Sequence, residues 1–473
     1  MKMVKSLLLG SAAGLAAVAG AQAADLPVKA KAVEYVKVCS AYGAGYYYVP
    51  GTDTCLKLGG YARFDTYINA VGTFNPAISS TGGIAFNSAG AGSIAGYPFT
   101  TSDSPDYLTR ARGVVDMDAR TATDYGVLRS YVRFGANWDS QASAGSPAGG
   151  SLYFERAFIQ FAGFTFGYTQ SFFDTGINYM MSTPYAGSNG WTSLIGYTAQ
   201  FGNGFSATIA LEDSVNRTTG IQATTTTVAN TGISYTNYQD GQSAPDIVAN
   251  LRLDQAWGTA MLSGALHQVA AMTPIFAGAP FIGDSSSDSW GWALGGSVEF
   301  KLPMLAPGDS LYIQANYADG ALSYLGLSGT VQGRATALGT LNIGTSVTNG
   351  LSGAYYPLAD AIWTGNGFSK ESGWSIQGQF RHYWVPNLRS AIYGGYVSVE
   401  VPQNTLNAYD VNMWQVGLNT IWSPVKNLDL GVEVLYSKVD GGAPLTVSTS
   451  PTTQIYGGSA DVWSGGIRAQ RSF

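Results

Sequence analysis

Residues 108–120 read Leu-Thr-Arg-Ala-Arg-Gly-Val-Val-Asp-Met-Asp-Ala-Arg, and all the charged residues in this stretch occupy even positions. The odd positions from Ala111 to Ala119 carry small or apolar residues. A helix would scatter these charges around its axis, whereas a strand places alternate side chains on opposite faces. The stretch therefore predicts a β-strand with one apolar face and one charged face.

The same alternation resumes in residues 126–138, with Leu128, Phe134 and Trp138 on one face and Arg129 and Arg133 on the other. The residues between, 121–125, contain Thr and Asp and are followed by a glycine, which suits a turn. The two stretches together predict a hairpin. A single hairpin of this kind fits a soluble sandwich as well as a membrane barrel.

Further segments of about ten residues show alternation or aromatic ends. They are residues 56–68, 151–162, 163–171, 192–201, 205–213, 246–255, 259–269, 289–301, 310–318, 373–384, 389–400, 411–422, 428–438 and 460–473. With the first two they make about sixteen strands, and bacterial antiparallel barrels close with an even number. Tight turns alternate with long Gly-, Ser- and Thr-rich connections, so we expect an all-β transmembrane antiparallel β-barrel.

Composition favours a barrel in lipid. Only 11% of residues are charged, beside 61 Gly, 29 Tyr and 11 Trp, where globular chains carry about 25% charged residues. A membrane barrel needs an apolar outer face, a polar lumen and aromatic rims. A large soluble all-β secreted protein would explain the Gly and Tyr content but not the scarcity of charge. The net charge of −6 gives no indication of nucleic-acid binding.

The first 23 residues have the features of a secretory signal peptide. Lys2 and Lys5 precede an apolar stretch, and Ala21-Gln22-Ala23 supplies a small-residue cleavage site. The apolar stretch is shorter than the roughly 20 residues of a spanning helix. Cys39 lies too far beyond the cleavage site to become the lipidated first residue of a lipoprotein.

Two cysteines, Cys39 and Cys55, lie in the segment 24–55 that precedes the predicted barrel, residues 56–473. In an exported chain we expect them to form a disulfide, with two reduced thiols as the alternative. No metal site or cofactor is expected, because the only histidines, His267 and His382, lie far from the two cysteines in sequence.

Several long strings resemble the general porins of alphaproteobacteria, the rhizobial and brucella type. They are residues 34–39, 46–61, 156–167, 170–174, 246–254 and 264–268, beginning Glu-Tyr-Val-Lys-Val-Cys and including Arg-Ala-Phe-Ile-Gln-Phe-Ala-Gly-Phe-Thr-Phe-Gly. The resemblance implies a sixteen-stranded homotrimeric channel for passive diffusion of small hydrophilic solutes and ions. It also implies a constriction loop, about 171–194, folded into the lumen.

Lumen-facing arginines cluster on the first four predicted strands and are the candidates for the pore constriction. They are Arg63, Arg110, Arg112, Arg129, Arg133 and Arg156. If Arg120 and Val127 close the first hairpin, Asp118 faces Arg129, and Arg110, Arg112 and Arg133 lack an acid across the strand. A closure between Trp138 and Ser151 would place Arg156 opposite Arg133. We therefore predict a positive wall in the pore.

The predicted constriction loop holds one charge, Asp174, among residues such as Asn178, Tyr179 and Trp191. Porins of the usual plan set acids on this loop against the arginines. The sequence therefore predicts an eyelet that is positive on one side and polar or aromatic on the other, with Asp174 in the constriction.

The predicted last strand ends at Phe473, with Trp463, Ile467 and Ala469 on the same alternating face. A terminal aromatic of this kind is an assembly signal in outer-membrane proteins, so we expect the barrel-assembly machinery as a partner. The other expected partners are outer-membrane lipid and lipopolysaccharide, with no nucleic acid.

Three other functions remain open from sequence. Aromatic residues in 171–194 would suit a substrate-specific channel, and the long loops 214–245 and 319–371 would suit a surface-binding protein. An outer-membrane hydrolase is disfavoured because such enzymes need a histidine base, and both histidines lie within predicted strands.

Overall fold

The computed structural model describes residues 37–71, 75–76, 85–86, 92–93, 107–140, 149–182, 186–226, 233–237, 239–272, 286–327, 359–363, 368–402, 410–441 and 459–473. The predicted signal peptide, residues 1–23, lies outside the described residues, as do parts of the long connections. The chain forms two compact units, Met1–Leu56 and Lys57–Phe473.

Sixteen long strands build a single closed antiparallel sheet, which confirms the predicted barrel. They are β1 Cys55–Ile68, β2 Tyr107–Thr123, β3 Gly126–Asp139, β4 Gly149–Phe161, β5 Phe164–Gln170, β6 Trp191–Gly202, β7 Phe205–Glu212, β8 Asp246–Gln255, β9 Gly258–Met272, β10 Ser286–Lys301, β11 Ser310–Asp319, β12 Ser372–Val385, β13 Leu388–Glu400, β14 Val411–Val425, β15 Leu428–Gly441 and β16 Ser459–Ser472. Each strand pairs with the next, and β16 returns to β1 with Arg63 opposite Gln470 and Tyr67 opposite Gly466.

Short connections lie at one end of the barrel and long ones at the other. Several short connections are two-residue turns, and their backbone conformation explains their sequence. Asn203 and Gly204 have φ of +50° and +75°, the left-handed conformation that tight hairpin turns require. Such turns fix strand pairing, so the register of these hairpins follows from local sequence.

The outer surface of the barrel is apolar along the strands. Exposed side chains on this face include Ile195 on β6, Leu251 on β8, Leu294 on β10, Val432 on β15 and Ile467 on β16. The residues that alternate with the outward-facing ones along each strand point inward. Gln314 on β11, Gln377 on β12 and Asn419 on β14 are examples, and all three are almost fully buried. An apolar exterior around a polar interior is the inverse of a soluble protein and matches a barrel in lipid.

The long connections contribute ordered structure that sequence reasoning did not anticipate. Ile221–Thr226, Ile233–Asn237, Ala361–Trp363 and Phe368–Lys370 form a small four-stranded sheet, and two further strand pairs are Ala70–Val71 with Asn75–Pro76 and Ala85–Phe86 with Gly92–Ser93. Within the described ranges, three short 3₁₀ helices span Ser40–Tyr42, Ser214–Arg217 and Leu322–Leu325. No helix in the described part of the chain is long and apolar enough to cross a membrane.

In the N-terminal unit, Cys39 and Cys55 form a disulfide with their Cα atoms 6.0 Å apart, as predicted. Tyr47–Tyr48 pairs with Cys55–Leu56, so the disulfide lies beside a short strand pair. Cys39, Tyr46 and Cys55 are buried together in this unit. A disulfide closing a loop of this length contributes about 3 kcal/mol in the loop-entropy model.

Candidate functional site

The connection from Ser171 to Gly190, called here the constriction loop, follows β5 and reaches strands on the far side of the barrel. Asn250 of β8 donates to the carbonyl of Phe172 at 2.6 Å, and the amide of Tyr179 donates to Gln379 of β12 at 2.7 Å. The Tyr179 hydroxyl donates to Glu299 of β10 at 2.5 Å. The loop therefore crosses the lumen and lies against the wall opposite β1–β4; its residues 183–185 lie outside the described part.

The tip of the constriction loop is held by one buried carboxylate. Glu433 on β15, 1% exposed, accepts hydrogen bonds from the amides of Met181 at 2.7 Å and Ser182 at 2.6 Å. Asn419 donates to the same carboxylate at 3.1 Å and to the carbonyl of Tyr179 at 2.9 Å. Hydrogen bonds from backbone amides to a buried carboxylate are among the stronger ones, so this contact fixes the tip.

Asp174 does not face the pore, which corrects the sequence-based expectation. Its carboxylate accepts from the amide of Gly190 at 2.5 Å and from Arg217 at 3.0 Å, and both charged side chains are almost completely buried. Arg217 also donates to the hydroxyl of Ser188 at 2.8 Å. Asp174 thus ties the two ends of the constriction loop together, a role set by a partner 43 residues away that the loop sequence alone does not reveal.

A cavity of about 920 Å³ lies between the constriction loop and the wall built by β1–β5. On the wall side it is lined by Lys57, Arg63, Arg112 and Arg133, with the acids Asp116 and Glu155 among them. On the loop side it is lined by Asn189 and by Trp191 at the start of β6. The wall side of the cavity is therefore mainly basic, and the side opposite is polar and aromatic.

Aromatic rings hold the arginines of this wall. The guanidinium groups of Arg63 and Arg133 lie 5.5 Å and 5.4 Å from the ring centre of Tyr61. Arg112 lies 5.0 Å from Tyr153, and Arg156 lies 4.4 Å from Trp191. Contacts of this kind are worth about 0.5–2 kcal/mol each, so they orient the arginines without neutralising them.

The predicted register of the first hairpin is wrong. Arg120 pairs with Arg129, Asp118 with Tyr131 and Asp116 with Arg133, two positions away from the expected pairing. The hairpin closes through only Asp124 and Tyr125, because the Thr123 hydroxyl donates to the carbonyl of Gly126 at 2.7 Å and extends both strands into the expected turn. The predicted pairing of Arg156 with Arg133 across β3 and β4 is correct, but the closure between Trp138 and Ser151 from which it was inferred is wrong. Trp138 pairs with Gly150, and a register shift between Arg133 and Phe134 restores the expected pair.

In the observed structure, two arginines that were expected to lack an acidic partner have one. Arg110 binds Asp139 through two nitrogens at 2.5 and 2.6 Å, and Arg133 lies 3.1 Å from Glu155. Arg112 donates to Asn137 at 2.6 Å. Of the expected wall, Arg110 is therefore a paired residue towards the long-loop end, away from the cavity lining.

The remaining predicted arginines also have defined partners. Arg129 binds Asp118 at 2.9 Å near the short-turn end of the barrel. Arg63 lies 2.8 Å from Asp65, a carboxylate that also binds Arg468 at 2.7 Å. The structure thus brings Arg63, Arg112 and Arg133 together around the cavity and places Arg156 beside it, against the ring of Trp191. Arg110 lies towards the long-loop end of the barrel and Arg129 towards the short-turn end.

Glu155 reaches the cavity through a β-bulge that sequence reasoning missed. Arg133 pairs with Arg156 but Phe134 pairs with Phe154, so Glu155 is an extra residue in β4. A bulge turns two consecutive side chains to the same face. The bulge could have been predicted from the energy of burying a charge in lipid. Strict alternation would have put the Glu155 carboxylate on the lipid-facing side, where a charge is costly.

Comparisons with known proteins agree with this architecture. A family model described as the porin subfamily matches residues 25–466. Porin Omp2b of Brucella canis is 33% identical over 267 residues, and Porin Omp2b of Brucella melitensis is 32% identical over the same length. These matches cover 54% of this chain and 64% of the relatives. The outer membrane channel DcaP of Acinetobacter baumannii superposes with a TM-score of 0.58 at 18% identity, covering 90% of this chain and 99% of that one.

Proposed function

The chain belongs to the porin subfamily, and from this premise we propose that it forms a water-filled channel for passive diffusion of small hydrophilic solutes and ions across the bacterial outer membrane. The observation that carries the proposal is the cavity between the arginines and the constriction loop, which is lined by polar and charged groups inside a barrel with an apolar exterior. Diffusion through such an opening is governed by its width and by the field of the charges around it.

The first test of the channel is conductance in a planar lipid bilayer. Purified protein is expected to produce stepwise current increases whose size is proportional to voltage. A folded barrel that gives no conductance would contradict the proposal and would favour a surface-binding protein acting through its long external connections. Current that is blocked by low concentrations of one solute would favour a substrate-specific channel.

We assign the constriction to Arg63, Arg112, Arg133 and Arg156 on the wall and to Asn189 and Trp191 opposite. The support is that Arg63, Arg112, Arg133, Asn189 and Trp191 line the cavity, while Arg156 lies beside it with its guanidinium 4.4 Å from the ring centre of Trp191. Arg110, Arg129 and Asp174 are left out of the constriction because they do not line the cavity, and each is bound by an oppositely charged side chain. We propose that the filter acts on passing solutes through its width and its charges and carries out no bond chemistry. The two histidines are engaged elsewhere, since His267 is hydrogen-bonded to Asp246 and His382 to Asp309.

We also propose that the barrel assembles as a homotrimer. An apolar groove on the outer face of β1–β4 is floored by small residues, Ala111, Gly113, Ala136 and Gly150, and is flanked by larger ones that include Trp138 and Leu152. Stripes of small residues permit close packing between proteins in a bilayer. A second copy of this chain is the occupant that we propose for the groove.

The variant Gly113→Leu tests this assembly. No atom lies within 4 Å of a Cβ built at Gly113, so the barrel itself tolerates a side chain, whereas a subunit packed in the groove does not. We expect an unheated gel to show monomer in place of trimer. Gly296→Leu is the matched control, because a Cβ at Gly296 on β10 also meets nothing within 4 Å. A trimer that persists in Gly113→Leu would contradict the proposed interface.

Outer-membrane lipid and lipopolysaccharide are the surroundings that we propose for the apolar exterior, and the barrel-assembly machinery is a partner during insertion. The last strand supports this second proposal, since β16 closes the barrel against β1 and the amide of Phe473 donates to the carbonyl of Gly60 at 3.1 Å. Phe473 remains 67% exposed.

A further inference from the structure

Two pieces of the connection between β11 and β12 fold into the barrel and form what we call the insert, Ala321–Leu327 with Ala359–Ile362. Leu322, Leu325 and Leu327 are fully buried and belong to one apolar cluster with inward-facing residues of β13 and β14. Those inward residues are Val397, Val399, Val411 and Met413. Apolar side chains facing a water-filled lumen would be unfavourable, so this part of the wall is built to be covered.

The insert touches the constriction loop at both of the loop's ends. The amide of Gly187 donates to the carbonyl of Leu325 at 3.0 Å. The ring centre of Tyr324 lies 4.7 Å from the ring centre of Phe173. The guanidinium of Arg217 also lies against the Tyr324 ring, 4.3 Å from its centre. Arg217 is the group that binds Asp174, so Tyr324 packs against the ion pair that ties the loop ends together.

The insert is in turn fixed to the barrel wall by buried polar groups. The Tyr324 hydroxyl donates to Asp246 of β8 at 2.6 Å, and Asn316 of β11 donates to the Tyr324 carbonyl at 2.9 Å. Burial together with the nearby Asp246 carboxylate holds the pKa of the Tyr324 phenol well above its ordinary value, so the phenol remains a hydrogen-bond donor.

Asp360 of the insert is also engaged on several sides. It accepts from the amides of Leu322 at 3.1 Å and Thr219 at 2.8 Å, and it lies 3.6 Å from His267, which itself binds Asp246 at 2.7 Å. Buried charges persist only when they are paired and hydrogen-bonded, and a network of this kind admits few alternative arrangements. The insert is therefore a defined part of the folded barrel.

We propose that the insert is a positioning element that determines where the constriction loop lies and hence the size limit of the pore, with Tyr324 as its central positioning residue. This inference rests on the proposed channel function. The constriction loop has a tether at its tip, Glu433, and the insert supplies the support at its ends. A loop that keeps its tip tether but loses the support samples more positions, because contacts that restrict local motion have been removed.

The test is the variant Tyr324→Ala, measured by swelling of proteoliposomes in sugars of increasing size. We expect the rate for a trisaccharide relative to a monosaccharide to rise about twofold or more, because exclusion depends on the width of the narrowest point. Tyr324→Phe retains the ring between Phe173 and Arg217 and is expected to stay close to the unmodified protein. Tyr317→Ala is the matched control, since Tyr317 is an outward-facing tyrosine on β11 whose ring centre lies 5.2 Å from that of Trp292.

Folding of each variant is checked by the shift in gel mobility on heating. If Tyr324→Ala does not fold, Leu325→Ala replaces it, with Leu262→Ala on the outer face of β9 as its control. A folded Tyr324→Ala or Leu325→Ala with an unchanged ratio of sugar rates would overturn the proposal. Absence of any sugar permeation by the unmodified barrel would instead refute the channel function.

Discussion

Replacement of Glu433 by alanine is expected to raise the single-channel conductance about twofold, because conductance follows the open cross-section at the constriction. The Glu433 carboxylate accepts hydrogen bonds from the amides of Met181 and Ser182, and both of these residues are buried. An N–H group left buried without an acceptor costs about 1–3 kcal/mol, so the loss of both acceptors favours loop positions in which the amides reach water. The tip then moves away from β15 and the loop no longer holds one position in the lumen.

Two further variants make the Glu433 result specific. Glu433→Gln retains one acceptor oxygen and is expected to give a smaller increase than Glu433→Ala. Glu400→Ala removes the same negative charge from an exposed position at the end of β13 and is expected to leave the conductance unchanged. Planar-bilayer recordings of all three variants provide the measurement. Equal conductance of Glu433→Ala and the unmodified protein would show that the tip contact does not set the width of the pore.

The barrel itself was predictable from sequence because its signal is local and repeated. Alternation with a period of two marked strands such as residues 108–120 and 428–438, and the structure has strands at both places. Each strand carries the pattern independently, so one weak segment does not change the fold class. The aromatic and charge content of the whole chain then separated a membrane barrel from a soluble one.

The sequence-based pairing of strands failed where a short local feature, a tight turn or a bulge, changes the register. The first hairpin was displaced because a turn of Asp124 and Tyr125 is shorter than the five residues that suited a turn by composition. A shift of two positions preserves which face each side chain occupies, so the error leaves the expected face of each arginine unchanged and alters only its partners across the strands. The bulge at Glu155 similarly breaks the alternation on which the prediction depended.

The contacts that place the constriction loop were inaccessible to sequence reasoning. Met181 and Glu433 are 252 residues apart, and Tyr324 meets Asp246 across 78 residues. Such pairs form only because the barrel closes and brings distant strands together. The apolar inward positions of Val397 and Val399 carried a signal, since they depart from a polar lumen, but the segment that covers them was not identifiable from that signal.

Replacement of Arg112 and Arg133 together by glutamine is expected to shift the reversal potential in a salt gradient towards that of a cation-selective pore. The cavity is lined by four cationic side chains, Lys57, Arg63, Arg112 and Arg133, and by two carboxylates, Asp116 and Glu155. Among these lining groups, the double variant leaves two cations and two carboxylates, and Arg156 beside the cavity is unchanged. Arg110 is not part of the variant, because its guanidinium is bound by Asp139 outside the cavity.

The size of this shift follows from Coulomb's law. A unit charge about 6 Å from a passing ion changes the energy of that ion by about 0.7 kcal/mol in water, with opposite signs for an anion and a cation, so two charges change the relative permeability of anions and cations by up to about a hundredfold. Screening by salt reduces this change to roughly tenfold near 0.15 M and makes the effect larger in dilute solution. The control is the pair Arg252→Gln and Lys426→Gln, which lowers the net charge by the same amount away from the cavity lining.

The comparison between the two double variants decides which charges govern selectivity. The chain as a whole is acidic, which favours cations at the mouths of the pore, whereas the cavity is mainly basic and favours anions. If the cavity dominates, only Arg112→Gln with Arg133→Gln moves the reversal potential. If both pairs move it equally, net charge rather than the arginine wall controls ion preference, and the assignment of the constriction to these arginines is wrong.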